Sequence, residues 1–339
     1  MSTAALLINL GSPESTSVKD VKKYLGEFLM DDHVIDIPYL TRFLLVKGII
    51  LNTRPKKSAA AYKSIWWEEG SPLTVISRRL REKVQQFTEK PVYLAMRYAQ
   101  PSIKGTLERM VQDQPDLKSV FVVPLYPHFA MSSYETVVDR VKELAREHFP
   151  HLEIHIQEPF YRDAEYVEIL SKSIKEHLPE GYHLLFSYHG IPVRHLKKSD
   201  TTQSHCRQTA NCCTIDSPAH STCYQHQTEV TTRLVAEKLG LSKDQYSQSY
   251  QSRLGRDEWI RPYSDEVFKT YPTQGIKKMA VVCPAFVSDC LETLEEMQVE
   301  GKEDFLHAGG EDFVPIPCLN EREDWSRLLA KWINQRLPA

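Results

Sequence analysis

The sequence predicts an α/β protein of two Rossmann-like halves, each a parallel β-sheet flanked by helices. Short apolar runs alternate with amphipathic helical patterns along the chain, the pattern of βαβ units. A length of 339 residues suffices for two domains of ordinary size with a generous core. Two of the apolar runs stop abruptly near a titratable side chain, His189 after one and Glu292 after the other. Open α/β sheets collect their ligands beyond the strand carboxyl ends, so these two positions are the first candidates for chemistry.

Taken in order, residues 4–10 read as a first buried strand. No basic segment precedes them, so a first strand rather than a signal peptide is expected. Residues 39–51 carry Leu40, Phe43, Leu44, Leu45, Ile49 and Ile50 in roughly helical order, broken by Arg42 and Lys47. Either a core helix or an exposed apolar lip fits that pattern. Residues 77–90 and 134–148 read as amphipathic helices, and 91–96 and 119–124 as buried strands. In the second half, 152–156, 183–187, 246–251 and 278–282 supply the strands, with the join near Pro150. Residues 324–337 are helical through Trp325, Leu328, Leu329, Trp332 and Ile333.

Composition excludes several classes. A formal charge of −3, with no Lys/Arg cluster, argues against nucleic acid. No segment reaches the ~18 apolar residues of a membrane span, so a cytoplasmic protein is expected. No Gly-x-Gly-x-x-Gly follows the first strand, and no nucleotide site is indicated.

The acids after residues 279–287 recur at Glu292, Glu296 and Glu300. Steps of four keep them on one helix face, drifting by roughly 40° per step. Like charges at that spacing cost a helix a few tenths of a kcal/mol per pair. Alone, such a row is a solvated face; placed after a buried strand, it faces a cleft. His189 alone could be a turn histidine bonded to backbone.

Residues 198–227 lack a hydrophobic rhythm and hold four of the seven cysteines, Cys206, Cys212, Cys213 and Cys223, spaced C-x5-C-C-x9-C. In a cytosolic chain metal binding is a better default than disulfides. Four thiolates suit a [2Fe–2S] cluster or a structural zinc. The lack of a C-x2-C knuckle weakens zinc, while His205, His220 and His226 keep it open, as does the reading of unligated thiols.

The stretches Leu184-Leu185-Phe186-Ser187-Tyr188-His189-Gly190 and Ser288-Asp289-Cys290-Leu291-Glu292 resemble the ferrochelatase family. The resemblance covers nearly the whole chain. It includes Leu7-Ile8-Asn9-Leu10-Gly11-Ser12-Pro13-Glu14, Arg54-Pro55-Lys56-Lys57-Ser58-Ala59 with Tyr62 and Ile65-Trp66, Gly70-Ser71-Pro72-Leu73, Met96-Arg97-Tyr98, Pro124-Leu125-Tyr126-Pro127, and Tyr250-Gln251-Ser252-Arg253 with Trp259. It implies two chelatase-type domains, the first of residues 1–149 plus a returning C-terminal helix in 318–339, the second of 150–317. It implies insertion of Fe(II), as substrate, into protoporphyrin IX to make protohaem, with coproporphyrin III as the rival substrate. A non-catalytic haem or metal sensor is the alternative, which the retained His189 and Glu292 oppose.

By resemblance, His189 faces the porphyrin centre as proton acceptor or transient metal ligand, and Glu292 lies opposite. Glu296 and Glu300 extend a carboxylate path for protons or iron. Leu10, Tyr62, Ile65, Arg97, Tyr126 and Trp259 line the pocket, and Arg54 and Ser71 are candidates for propionate contacts. The lip at 39–51 implies peripheral membrane contact; oligomeric state is unreadable. Met131 stands where the animal-type cluster cysteine would fall, so the resemblance points to a cluster held by the four internal cysteines. Cys290 occupies a position that is often histidine in the family.

Overall fold

The computed structural model describes residues 2–253, 255 and 257–337. The chain divides into two compact units, one of residues 1–125, 131–158 and 320–339, the other of 126–130 and 159–319.

The first unit is built on a parallel sheet of strands β1 (Ser2–Asn9), β2 (Val92–Met96), β3 (Leu117–Pro124) and β4 (Glu153–Ile156), in the order β2-β1-β3-β4. Ala4 to Ile8 are completely buried, as expected of a central strand covered on both faces. The helices Val18–Leu29, Pro55–Ile65, Pro72–Gln85, Ile103–Asp113 and Thr136–His148 lie in the same unit. The C-terminal helix Glu323–Arg336 belongs to it too. Thr88 Oγ1 donates to Asn334 Oδ1 at 2.6 Å, and Arg327 lies over the Phe87 ring at 4.1 Å.

The second unit repeats the plan with β5 (His183–His189), β6 (Tyr246–Gln251), β7 (Lys278–Val282) and β8 (Asp312–Pro315), in the order β6-β5-β7-β8 and again wholly parallel. In both sheets the chain reverses direction of winding beside its first strand. That switch point leaves a crevice at the carboxyl ends of β1 and β5.

Two features differ from the sequence reading. Residues 152–156, expected in the second half, form β4 of the first sheet, paired from Ser119↔Glu153 to Val122↔Ile156. The helix after β3 is a single short crossover, so the next strand returns beside β3, and the join moves from near Pro150 to Glu158/Pro159. The fourth strand of the second sheet, β8, has only four residues and ends in proline, too short to show a period.

The stretch 39–51 is an α-helical turn at Tyr39–Phe43, a wide i→i+5 turn at Leu44–Ile50, and a last turn at Leu51–Thr53. Tyr39, Leu40, Phe43, Leu44 and Ile49 are exposed, so the lip pattern is the one realised, and Arg42 turns inward to donate to Ile35 O at 3.1 Å. No helix among the described residues is long and apolar enough to cross a membrane.

Candidate functional site

His189 is the last residue of β5, paired with Gln251 at the end of β6. Its Nδ1 lies 2.6 Å from the Gly190 carbonyl oxygen. A carbonyl only accepts, so Nδ1 carries the proton and the neutral imidazole keeps its lone pair on Nε2. The ring packs edge-on to Phe286 at 6.3 Å.

Beyond the strand, Val193 N–H donates to Glu258 O at 2.8 Å and Ile260 N–H to Ile191 O at 3.1 Å. This short pairing presses the Trp259 indole against Gly190. A Cβ at 190 would stand 2.8 Å from Gln251 O and 3.2 Å from Trp259 Cε3, which is why only glycine fits beside the histidine.

The acids lie on Glu292–Gly301, a helix wound throughout with i→i+5 bonds rather than the α-helix that the four-residue spacing predicts. Such windings are rare and concentrate at functional positions. Ser252 Oγ donates to Glu296 Oε2 at 2.5 Å. Burial pushes the Glu296 carboxyl up to about 7; Glu292 and Glu300 add to the rise and the Ser252 bond opposes it. Thr293 Oγ1 donates to Asp289 Oδ1 at 2.8 Å and accepts from Cys290 N–H at 3.0 Å, fixing the entry to this helix. Burial, with Glu292 alongside, drives the Cys290 thiol well above its ordinary range. It stays a neutral S–H donor toward Glu292, where an imidazole could also have carried charge.

Tyr126 and Trp259 belong to this unit and Leu10, Tyr62, Ile65 and Arg97 to the first. Within the first unit, Arg97 N–H donates to Asn9 O at 2.8 Å and Tyr98 N–H to Leu10 O at 2.9 Å, so Leu10 and Arg97 meet at the carboxyl ends of β1 and β2. The Arg97 guanidinium pairs with Asp31 and donates to Thr136 Oγ1 at 2.8 Å. Tyr62 is buried edge-on to Tyr24 at 6.3 Å. Ser71 Oγ donates to Ser12 Oγ at 2.7 Å.

Cys206, Cys212, Cys213 and Cys223 line one small cavity, with Leu196, Asp200 and His220. Asp200 Oδ2 accepts the His205 and Cys206 N–H groups at 2.9 and 2.8 Å. The Arg207 N–H points at Cys212 Sγ at 3.4 Å and the His226 N–H at Cys223 Sγ at 3.5 Å. The Cys213 thiol, with the His226 N–H, holds Cys223 below the ordinary thiol range against the effect of burial. The three histidines brace this loop: His205 and His220 bond the Cys212 carbonyl through Nε2 at 2.7 and 3.1 Å, and His226 bonds the Cys213 carbonyl through Nδ1 at 2.6 Å. The His220 and His226 rings stack at 3.7 Å.

Sequence reasoning gave no role to Ser252, to Phe286 or to Tyr224, whose hydroxyl donates to His189 O at 2.8 Å. Ser252 immediately follows β6, so the strand-end logic that found His189 could have found it too. Tyr224 adjoins a candidate ligand, Cys223.

The ferrochelatase family model matches residues 2–337. A ferrochelatase of Stutzerimonas stutzeri is 49% identical over 331 residues, 97% of this chain and 96% of the relative. That of Opitutus terrae is 47% identical over 340 residues, 99% of this chain and 98% of the relative, and that of Pseudomonas fluorescens 48% over 330 residues. Among solved structures, SirB from Bacillus subtilis with Fe3+ is similar in fold at a TM-score of 0.54 and 12% identity, covering 99% of this chain and 95% of that one. With a strand-end histidine followed by an acid-bearing helix, and family identity running from end to end, the chain belongs to the ferrochelatase family.

Proposed function

We propose that this ferrochelatase inserts Fe(II) into protoporphyrin IX to give protohaem, with His189 as the central proton acceptor. The observation that carries the assignment is the Nδ1–H bond from His189 to the Gly190 carbonyl, which commits one ring nitrogen and leaves Nε2 as a base. The reaction replaces two pyrrole protons by one Fe2+, so two protons must be accepted and moved away. Nε2, whose lone pair is left free by the Nδ1–H bond, is placed to take one. Glu292 and Glu296 continue the path, and a carboxyl that titrates at about 7 exchanges protons readily near neutrality. Glu300 is the outermost acid of the row. Leu10, Tyr62 and Ile65 in the first unit, and Tyr126 and Trp259 in the second, each offer apolar or aromatic surface of the kind that a tetrapyrrole needs, and Arg54 and Ser71 are the candidates for propionate contacts. Arg97 shapes the wall through its bond to Asp31.

The exposed lip Tyr39, Leu40, Phe43, Leu44 and Ile49 favours the less polar protoporphyrin over coproporphyrin III and supports peripheral contact with a membrane that stores the substrate. The four cysteines fit a [2Fe–2S] cluster. They converge on one cavity, backbone N–H groups are aimed at two of the sulfurs, and the nearby histidines are tied to carbonyls. When bound, such a cluster would supply a covalent cross-link of the insertion and a one-electron centre.

The deciding experiment is anaerobic loss of protoporphyrin fluorescence on adding Fe(II), with His189→Ala alongside and coproporphyrin III as competitor. Rapid, His189-dependent loss with protoporphyrin is expected. Binding of either porphyrin without metallation would replace the enzyme by a haem or metal sensor.

A further inference from the structure

Cys223 and Tyr224 are adjacent in the chain but serve two different places in the second unit. We infer that Tyr224 is the positioning residue through which the four-cysteine site holds His189. The inference rests on reading those cysteines as a cluster site.

At the end of β5 the ladder is closing: Gly190 N–H donates to Gln251 O at 2.8 Å, and the His189 carbonyl receives the Tyr224 hydroxyl at 2.8 Å. A carbonyl partly withdrawn from water gains from a partner, and here a side chain supplies what the sheet no longer does. Because the imidazole is bonded to the next carbonyl along, its direction follows the backbone at 189–190. Whatever fixes the His189 carbonyl therefore fixes where Nε2 points.

Tyr224 itself is held from the cysteine side. It opens the helix Tyr224–Leu239, whose first turn is capped by Cys223 Sγ accepting the His226 N–H. Gln227, fully buried one turn on, donates to the His220 and Ser221 carbonyls at 3.2 and 2.9 Å and accepts the Phe129 N–H at 2.7 Å. The Tyr224 ring is buried with His128 edge-on at 6.0 Å. Moving Cys223 moves the start of this helix, and the phenol with it. A tyrosine that merely fills the core would satisfy its hydroxyl without transmitting anything; the two readings separate in a coupled measurement.

The test uses full-length holoprotein with 15N-labelled histidine, the His189 ring signals being assigned by comparison with His189→Gln. Tyr224→Phe keeps the ring and removes only the hydroxyl. It should leave iron and sulfide content and visible absorption unchanged, and lower kcat for metallation by about 10- to 100-fold with the porphyrin KM unaltered. It should also shift the His189 Nε2 signal. Stripping the cysteine-bound iron with a chelator should move that signal in the wild type and not in Tyr224→Phe. Equal movement in both proteins, or wild-type kcat in Tyr224→Phe, overturns the inference. Wild type that binds neither iron nor sulfide at the cysteines fails the cluster reading on its own, visible in metal analysis before any kinetics. It removes the cysteine end of the linkage as well.

Discussion

The Ser252 hydroxyl donates to Glu296 Oε2 across 2.5 Å from a backbone held at a left-handed φ of 66°. Serine is uncommon in that region, so the position is held by its surroundings. The bond opposes the burial that raises Glu296.

Removing it, as in Ser252→Ala, should raise the Glu296 pKa further. If Glu296 accepts a proton in the pathway, the rising limb of kcat against pH moves to higher pH, and Glu296→Gln abolishes that limb. The stability sign follows as well. A carboxyl whose folded pKa is raised contributes fully below the unfolded value of about 4.3, and the contribution is lost as pH climbs through about 7. Glu296→Gln should flatten the urea midpoint over that window. A profile unchanged in both variants would leave Glu296 outside proton transfer.

His33 lies among three carboxylates, Asp31 and Asp32 at 3.1 and 3.2 Å from Nδ1 and Asp139 at 3.0 Å from Nε2. The Asp31 bond, above all, pushes it up to about 9. That stability is present below the ordinary histidine value near 6.5 and is lost as pH rises through about 9. His33→Ala should cost about 2 kcal/mol at pH 6 and little at pH 10, discounted for partial exposure and counting the Asp31 and His33 shifts as one interaction. Urea unfolding at the two pH values checks it; equal losses at both would contradict a charged imidazole.

At Gly190 a methyl group would meet Gln251 O at 2.8 Å and the Trp259 ring at 3.2 Å. Gly190→Ala should destabilise the protein by about 1–3 kcal/mol, as overpacking does, and displace the indole. Tryptophan fluorescence and porphyrin titration would report it as altered emission with weakened binding.

The cysteine site is checked by Cys212→Ser. Loss of visible iron–sulfur absorption is expected, whereas zinc bound in equimolar amount to the wild type, with no iron, would replace the cluster by a structural ion. For the lip, Leu40→Asp with Leu44→Asp should weaken co-sedimentation with vesicles at least tenfold, since each buried leucine is worth about 1.5–3 kcal/mol.

Much of this was legible in the chain. His189 could be placed because an apolar run of strand length ends beside it, and the strand alone determines where its last side chain lies. The four cysteines were legible as a group because residues 198–227 have no hydrophobic rhythm against which they could be read as core. What escaped reading depends on partners distant in sequence. Whether residues 153–156 join the first or second sheet is decided by β3, since the Glu-Ile-His-Ile alternation only says that an edge strand exists. The widened winding of Glu292–Gly301 has no pattern distinct from an ordinary helix. The three insertion histidines carried an ambiguous signal: ligand and brace have the same composition, and only their bonds to the Cys212 and Cys213 carbonyls separate them.

The four-cysteine loop lies in the crossover from β5 to β6, outside every strand and every strand pairing. Lengthening a connection is thermodynamically mild, about 0.6 kcal/mol per doubling of a flexible loop. A change of length within this loop therefore leaves the strand register intact, while the tie from Cys223 through Tyr224 to the His189 carbonyl is the one point that it must preserve. Tolerance to change is accordingly uneven along it, greatest on its outer residues and least where it is fastened to the frame at the start of the helix Tyr224–Leu239.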